Sequence, residues 1–521
     1  MGLLQTARRK VAAERSRRAA KSMSGAMTSE GAAAHFVLSN DIPLEIASPP
    51  GTPQIQRWQS LVHYGVVRPA LILLAGESLT LPPCEVATHT RLYLGFGRGL
   101  PSISADGLTI DLSWVPDGGE PQPLLSVPLH NGQDTTFREA VIDLSPHAGQ
   151  AGRVSLRVGA GPAGDPSADW LALSELVLGP AHELDLLRAR AFSTLRSDNE
   201  RAHFEAVYDH AIYEGRRKRA LKTKPLPPRD RPAPRDYAPV APADLAPTPG
   251  EDVYHYGSRL LRQCLHIQTP AFHQRIADLA HAKGGEGLDI ISFCAGTAQV
   301  EAALAASTDA DVRLTLVDIN DHLLEQAEAI MPPNCSVELI VQNVNELSLP
   351  ERSFDIAIFV SGVHHVVELE HVWGEIRTAL RPNGELWLIG EQIGANGNRL
   401  DVPEYARANA VFQSLPERYR INSVSGEVDA DLQNRDCAEA TFEGIRSADI
   451  EPTLSRHFLP VEIYRRNCFL WRLLNQTYHP NYDLNRPEDV ETVQALAQAE
   501  LDLFRAGGRP TELHGIYRPI L

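Results

Sequence analysis

The hydrophobic period changes once along the chain, and that change divides it. From residue 36 to 180 apolar and polar positions alternate, as in Gly107-Leu108-Thr109-Ile110-Asp111-Leu112-Ser113-Trp114 and Arg153-Val154-Ser155-Leu156-Arg157-Val158. Successive side chains of a strand point to opposite faces, so this alternation predicts half-buried strands. Gly, Pro and Asp interrupt the runs at short intervals. The expectation for 36–180 is an all-β sandwich or jelly roll.

Residues 181–224 read as helical. Phe204, Val207, Tyr208, Ala211 and Ile212 form one apolar stripe, Ser197 with Glu200 has capping-box spacing, and Arg216-Arg217-Lys218-Arg219 suits a helix C-terminus. Residues 225–252 are a proline-rich linker, extended and semi-rigid. From 253 to 521 the pattern is different. Leu288–Phe293 is a continuous apolar run, as in a strand buried on both faces, followed by a turn, a helix over 299–306 and a strand ending at Asp318. Ile356 to Val360 and Leu386 to Ile389 are further strands. Short helical pieces fill 394–450, which reads as an insertion. Phe458 opens another strand, Pro487 starts a late helix that Gly507-Gly508 stops, and Leu513–Arg518 is the last strand. The fold expected for 253–521 is α/β, a doubly wound and mostly parallel sheet.

Charge and composition narrow the classes. The 521 residues carry a net charge of −17, which disfavours a nucleic-acid binder. The six cysteines are scattered with no CxxC pair. They indicate no metal site and no disulfide framework, and suggest a reducing, cytoplasmic setting. No apolar run approaches the ~18 residues of a membrane helix, so no integral membrane segment is expected. Residues 1–35 are basic and Ala-rich. A transit peptide, a myristoylation pattern on Gly2 and a solvated, disordered tail compete there, and the tail is preferred.

The chemistry concentrates at the turn after Leu288–Phe293. Gly296 permits close backbone approach to a ligand. Asp318 ends the next strand with a carboxylate able to accept two ribose hydroxyls. In a doubly wound sheet both face one crevice beyond the carboxyl ends of the strands.

These residues resemble the first motifs of the class I S-adenosylmethionine-dependent methyltransferase family. Ser292 stands where that family keeps an acidic residue. Cys294, Gly296 and Ala298 stand at its three glycines. The run Leu347-Ser348-Leu349-Pro350-Glu351-Arg352-Ser353-Phe354-Asp355 is similar to the family's lead into strand four, and Leu380-Arg381-Pro382-Asn383-Gly384 to its turn before strand five. The resemblance covers about 253–521. It implies S-adenosyl-L-methionine as cofactor, held by Phe293, Cys294, Ala295, Gly296, Thr297, Asp318, Ile319, Asn343, Val344, Asn345 and Ser361. It also implies a substrate lid at about 394–450, and a place for Arg259 beside the cofactor carboxylate. Methyl transfer needs alignment, with a base only if the acceptor must lose a proton. His365 is the first candidate base. His364 is expected to point away from it, Glu391 is the next candidate, and His457 is a further one.

The passage Phe137–Gly149 loosely resembles carbohydrate-binding jelly rolls of surface-glycan proteins. Trp58, Tyr64, Trp114 and Trp170 are either sugar-stacking or core residues. Two functions follow: methylation of a saccharide or other small hydroxyl acceptor, or a catalytically inactive methyltransferase fold that scaffolds glycan assembly.

Overall fold

The computed structural model describes residues 36–39, 44–63, 66–99, 106–130, 137–161, 164–191, 193–208, 240–265, 271–439 and 441–520. The basic tail 1–35, the cluster Arg216–Arg219, Tyr64 and the linker up to residue 239 lie outside them. Two compact units result, Met1–Thr194 and Leu195–Leu521.

The first unit is a two-sheet antiparallel sandwich. One sheet runs Arg138–Asp143, Thr90–Arg98, Trp170–Pro180, Val66–Leu74, Trp58–His63, with Phe36–Val37 on the third of these strands. The other runs Glu45–Ala47, Ser78–Thr80, Ala151–Ala160, Gly107–Pro116, Gln122–His130, with Cys84–Glu85 also on Ala151–Ala160. The alternation read from the sequence turns Leu108, Ile110, Leu112, Val154 and Leu156 inward against Leu71, Leu73, Leu92, Leu94 and Leu173 of the opposite sheet. Trp114 belongs to this core. It is fully buried and donates its indole N–H to Gln150 Oε1 at 3.1 Å. Trp58 and Trp170 are half-buried, each packed against a core cluster.

The second unit is built on a seven-stranded sheet. Its strands are β1 (Leu288–Phe293), β2 (Val312–Asp318), β3 (Cys335–Val341), β4 (Phe354–Val360), β5 (Leu380–Gln392), β6 (Phe458–Arg466) and β7 (Glu512–Pro519), in the order β3-β2-β1-β4-β5-β7-β6. The first five are parallel, and β7 is antiparallel to both neighbours. The order reverses between β1 and β4, the switch point at which doubly wound sheets bind ligands. Period two in β1 sends Ile291 and Phe293 into one core with Phe359 and Trp373, and Leu288 and Ile290 into another with Leu316 and Trp387. This is why the strand reads as apolar throughout. A third cluster joins the helices Val253–Cys264, Val402–Ser414, Leu470–Leu474 and Pro487–Arg505. Among the described residues no helix is long and apolar enough to cross a membrane.

The helical segment before the linker consists, within the described residues, of Leu184–Arg190 and α1 (Ser193–Tyr208). From Leu195 on, α1 belongs to the second unit. The capping-box reading of Ser197 and Glu200 is corrected, because both lie inside α1 rather than at its start. The Glu200 side chain is turned to a different task, described below.

Candidate functional site

The turn after β1 is held in three left-handed steps. Cys294, Gly296 and Ala298 have φ of +50°, +51° and +47°. These are the three positions at which the sequence pattern expects glycine, so the backbone path is kept although two side chains are not. A left-handed L-residue costs about 1–2 kcal/mol, a strain that the packing around Cys294 and Ala298 sustains. The Asp318 carboxylate, at the end of β2, locks the turn. Its Oδ2 accepts from Gly296 N–H at 2.9 Å and its Oδ1 from Asn320 N–H at 2.8 Å. Burial pushes the Asp318 carboxyl up, against those two donors. Each oxygen keeps acceptor capacity beyond one backbone N–H. The carboxylate therefore fits a vicinal diol such as a ribose. Asp318 does not cap the next helix. Asn320 does, accepting from Leu323 N–H at 3.2 Å.

Behind the turn, Ser292 Oγ donates to Glu301 Oε1 at 2.6 Å with both residues buried. Burial pushes the Glu301 carboxyl up. An acidic group thus reaches the position where the sequence has serine, brought from the following helix. Nothing local marks Glu301 for this. Only the register of helix against strand does.

The segment after β4 carries the second cluster. Residues Val363–His365 form a 3-10 turn, not an extended strand. Successive side chains there step by about 120° rather than 180°, so His364 does not point away from His365 as expected. The two rings lie 4.2 Å apart between centroids, and both face Glu443. His364 Nε2 is 3.6 Å from Glu443 Oε1, and His365 Nε2 is 3.4 Å from Glu443 Oε2. On the other side His364 Nδ1 lies 3.1 Å from Glu391 Oε2, and His365 Nδ1 lies beside Glu200 Oε1 of α1. Phe204, one turn further along α1, packs edge-on to His365 at 5.6 Å.

Each carboxylate is itself fastened. Glu391, fully buried, accepts from Gly362 and Val363 N–H at 3.0 Å each. Glu200 accepts from Phe442 N–H at 3.0 Å, and Glu443 from Asn398 Nδ2 at 2.8 Å. Ile445 N–H donates to the His364 carbonyl at 3.1 Å, tying the insertion to the turn after β4.

The electrostatics follow from this crowding. Burial alone would lower the His364 pKa, but Glu443 and Glu391 outweigh it and raise it to about 10. Burial works against ionised Glu443, yet His364 holds its carboxyl far below the usual range. Glu200 is held below its ordinary value by His365, again against burial. Neither His364 nor Glu391 stands free in the folded chain. His364 lies between two carboxylates, Glu443 and Glu391, and the Glu391 oxygens accept two backbone N–H groups. Carboxylates flank both nitrogens of His365, Glu200 at Nδ1 and Glu443 at Nε2.

Residues 292–388 match a family described as a methyltransferase domain. This region is a class I S-adenosylmethionine-dependent methyltransferase domain. Its class cofactor is S-adenosyl-L-methionine. A 24-methylenesterol C-methyltransferase 2 from Oryza sativa subsp. japonica is 26% identical over 156 residues, covering 30% of this chain and 42% of that protein. A demethylmenaquinone methyltransferase from Chlamydia pneumoniae is 30% identical over 106 residues, 20% of this chain and 45% of that one. The chain thus spans less than half the length of these relatives. A putative sarcosine dimethylglycine methyltransferase structure from Galdieria sulphuraria aligns over 47% of this chain and 84% of its own at 12% identity, with a TM-score of 0.27.

Within the methyltransferase domain the remaining expected residues fall as follows. Phe293 stacks on Phe359 in the core, so only its backbone is at the turn. Ala295 N–H is bonded to the Val317 carbonyl at 3.2 Å, and Thr297 Oγ1 accepts from Gln299 at 3.2 Å. The Ile319 carbonyl accepts from Arg201 of α1 at 3.1 Å. Asn343 accepts from Asn345 N–H at 3.0 Å, Val344 is core, and the Asn345 amide oxygen holds Val367 and Glu368 N–H at 2.8 Å each. Ser361, at φ +48°, donates to the Gly390 carbonyl at 2.7 Å. Arg259 pairs with Glu251 at 2.8 Å. His457 is pushed down by burial and by Arg377 and Arg456, and it is not part of the cluster. Sequence reasoning missed Glu200, Glu443 and Phe204 as site residues. Glu200 and Phe204 were visible only as helix-pattern positions, and Glu443 carries no local signal.

Proposed function

We propose that the second unit is a working methyltransferase that methylates a hydroxyl acceptor, with a saccharide as the preferred class. The observation that carries the catalytic part is the Asp318 carboxylate bonded to the triple left-handed turn at the switch point of the sheet. Gly296, Asp318 and the Asn343–Asn345 segment hold the nucleoside end of the cofactor. The cofactor supplies a methyl group on an already reactive sulfonium. The protein's own work is alignment and exclusion of water. The His364–His365 pair with Glu443 is the part of the crevice that handles the acceptor, and Glu391 and Glu200 position it.

The hydroxyl and saccharide parts rest on the β-sandwich in the same chain and on the need of a hydroxyl for help in losing its proton. One relative is named a C-methyltransferase, so a carbon acceptor is the competing outcome. Isothermal titration of the full chain with S-adenosyl-L-methionine should show one site per chain. Incubation with isotopically labelled cofactor and a panel of glycans, sterols and quinols should place the label on oxygen. Label on carbon would overturn the acceptor class. Absence of binding heat would overturn the enzyme reading and leave the inactive scaffold.

A further inference from the structure

The His364–His365–Glu443 cluster has features that acceptor positioning alone does not demand. One ring nitrogen from each of His364 and His365 and one oxygen of Glu443 all lie within 4.8 Å of one another. In a tetrahedral site with bonds of about 2.1 Å the donors stand ~3.4 Å apart. The separations of 3.4 Å from His365 Nε2 to Glu443 Oε2 and 3.6 Å from His364 Nε2 to Glu443 Oε1 are of that size, one to each oxygen of the carboxylate. The second observation is independent of the triad. Both Nδ1 atoms face carboxylates, Glu391 for His364 and Glu200 for His365, and both carboxylates are almost wholly buried. A carboxylate behind a ligating imidazole fixes the tautomer and turns the other nitrogen's lone pair toward a metal. Here His364 Nδ1 is hydrogen-bonded to such a carboxylate and His365 Nδ1 has one beside it, with the two Nε2 atoms aimed at the carboxylate of Glu443.

We propose that His364, His365 and Glu443 bind one divalent transition-metal ion, with Glu391 and Glu200 orienting the two imidazoles. Two imidazoles and a carboxylate suit Zn²⁺, Co²⁺, Mn²⁺ or Fe²⁺ rather than Mg²⁺ or Ca²⁺, which take all-oxygen ligand sets. The three ligands come from the turn after β4 and from the insertion. The site therefore exists only when the insertion is seated, and a metal ion would fasten it there. Binding releases any proton held on either Nε2 to solvent. Three protein ligands leave a coordination position for an acceptor oxygen, whose proton the ion makes more acidic. That last role rests on the proposed methyl transfer to oxygen, and the binding site does not.

The test uses the full chain, stripped with a chelator and dialysed. Titration with Co²⁺ should give visible ligand-field bands that saturate at one equivalent, and millimolar Mg²⁺ should not displace it. Glu443→Gln and His365→Asn should each weaken Co²⁺ binding by more than about 100-fold, since loss of an outer-shell partner alone costs 10–100-fold. Circular dichroism and cofactor titration show that each variant is folded. If one variant does not fold, the other and the wild-type stoichiometry still decide. Saturation at one equivalent that both variants abolish supports the site. Absence of a stoichiometric site in the wild type, or unchanged binding in a folded variant, overturns it. Failure of cofactor binding with intact Co²⁺ binding would count against the methyltransferase reading alone. Loss of methyl transfer on chelation, restored by Co²⁺, would assign the ion to the acceptor.

Discussion

Removing the Asp318 carboxylate should affect the empty protein before it affects any ligand. The carboxylate holds two backbone N–H groups, at 2.9 and 2.8 Å, across a turn with three left-handed residues. A hydrogen bond to a charged group contributes roughly 1.5–3 kcal/mol. Burial already disfavours the ionised form, so the lower end applies. Asp318→Ala should then cost about 2–3 kcal/mol of stability, and Asp318→Asn about half, because Asn keeps one acceptor oxygen. Urea unfolding followed by tryptophan fluorescence measures this without cofactor. Titration at a temperature where both variants are folded should show S-adenosyl-L-methionine affinity reduced by a further ~1–3 kcal/mol in Asp318→Ala. Unchanged stability in both variants would refute the locking role. Reduced stability with wild-type affinity would refute the ribose role and leave the lock.

Other expectations follow from individual contacts. Cys294→Gly relieves a left-handed strain at φ +50° and should raise stability by about 1 kcal/mol in thermal melts, whereas Gly296→Ala should lower it; the reverse order would show that the turn is not strained. Glu391→Gln keeps one acceptor oxygen and sets an amide N–H₂ against either Gly362 N–H or Val363 N–H with His364 Nδ1, and should cost about 3–5 kcal/mol of stability; a loss below 1 kcal/mol would mean that the clamp is not formed. Burial works against ionised Glu512, but His514 and Arg466 hold its carboxyl at about 2, down from 4.5. A depressed carboxyl stabilises the fold fully above its unfolded value, so this contribution of about 3 kcal/mol is present above pH 4.5 and lost as pH falls toward 2. Stability against pH should be flatter over that window in Glu512→Gln, and an identical slope would exclude Glu512 as the source.

Much of the fold was legible because it depends on local pattern. Period-two alternation marked the sandwich strands, and the uninterrupted run Leu288–Phe293 marked a strand buried on both sides. Pro487 and Gly507-Gly508 bounded a helix found at Pro487–Arg505. The turn after β1 was readable even with Cys294 and Ala298 in place of glycine. Strand, turn and acidic strand end come in a set order, and a left-handed φ can be forced on other residues at a cost.

The acceptor side was not legible, since its parts meet only across long separations in sequence. His364 and His365 were seen, but their relation was misjudged, because two adjacent residues do not reveal whether the chain is extended or in a 3-10 turn. Glu200 lies on a helix before the linker and Glu443 in the insertion, and each looks locally like an ordinary surface or capping acid. Tertiary structure alone places both carboxylates against the histidine pair, and burial makes their charges matter. The sequence by itself determined which residues could form strands and where the chain turns at the switch point of the sheet. The packing of α1 and the insertion decided which groups share the crevice, because side-chain proximity across the chain is a property of the folded core and not of any local period.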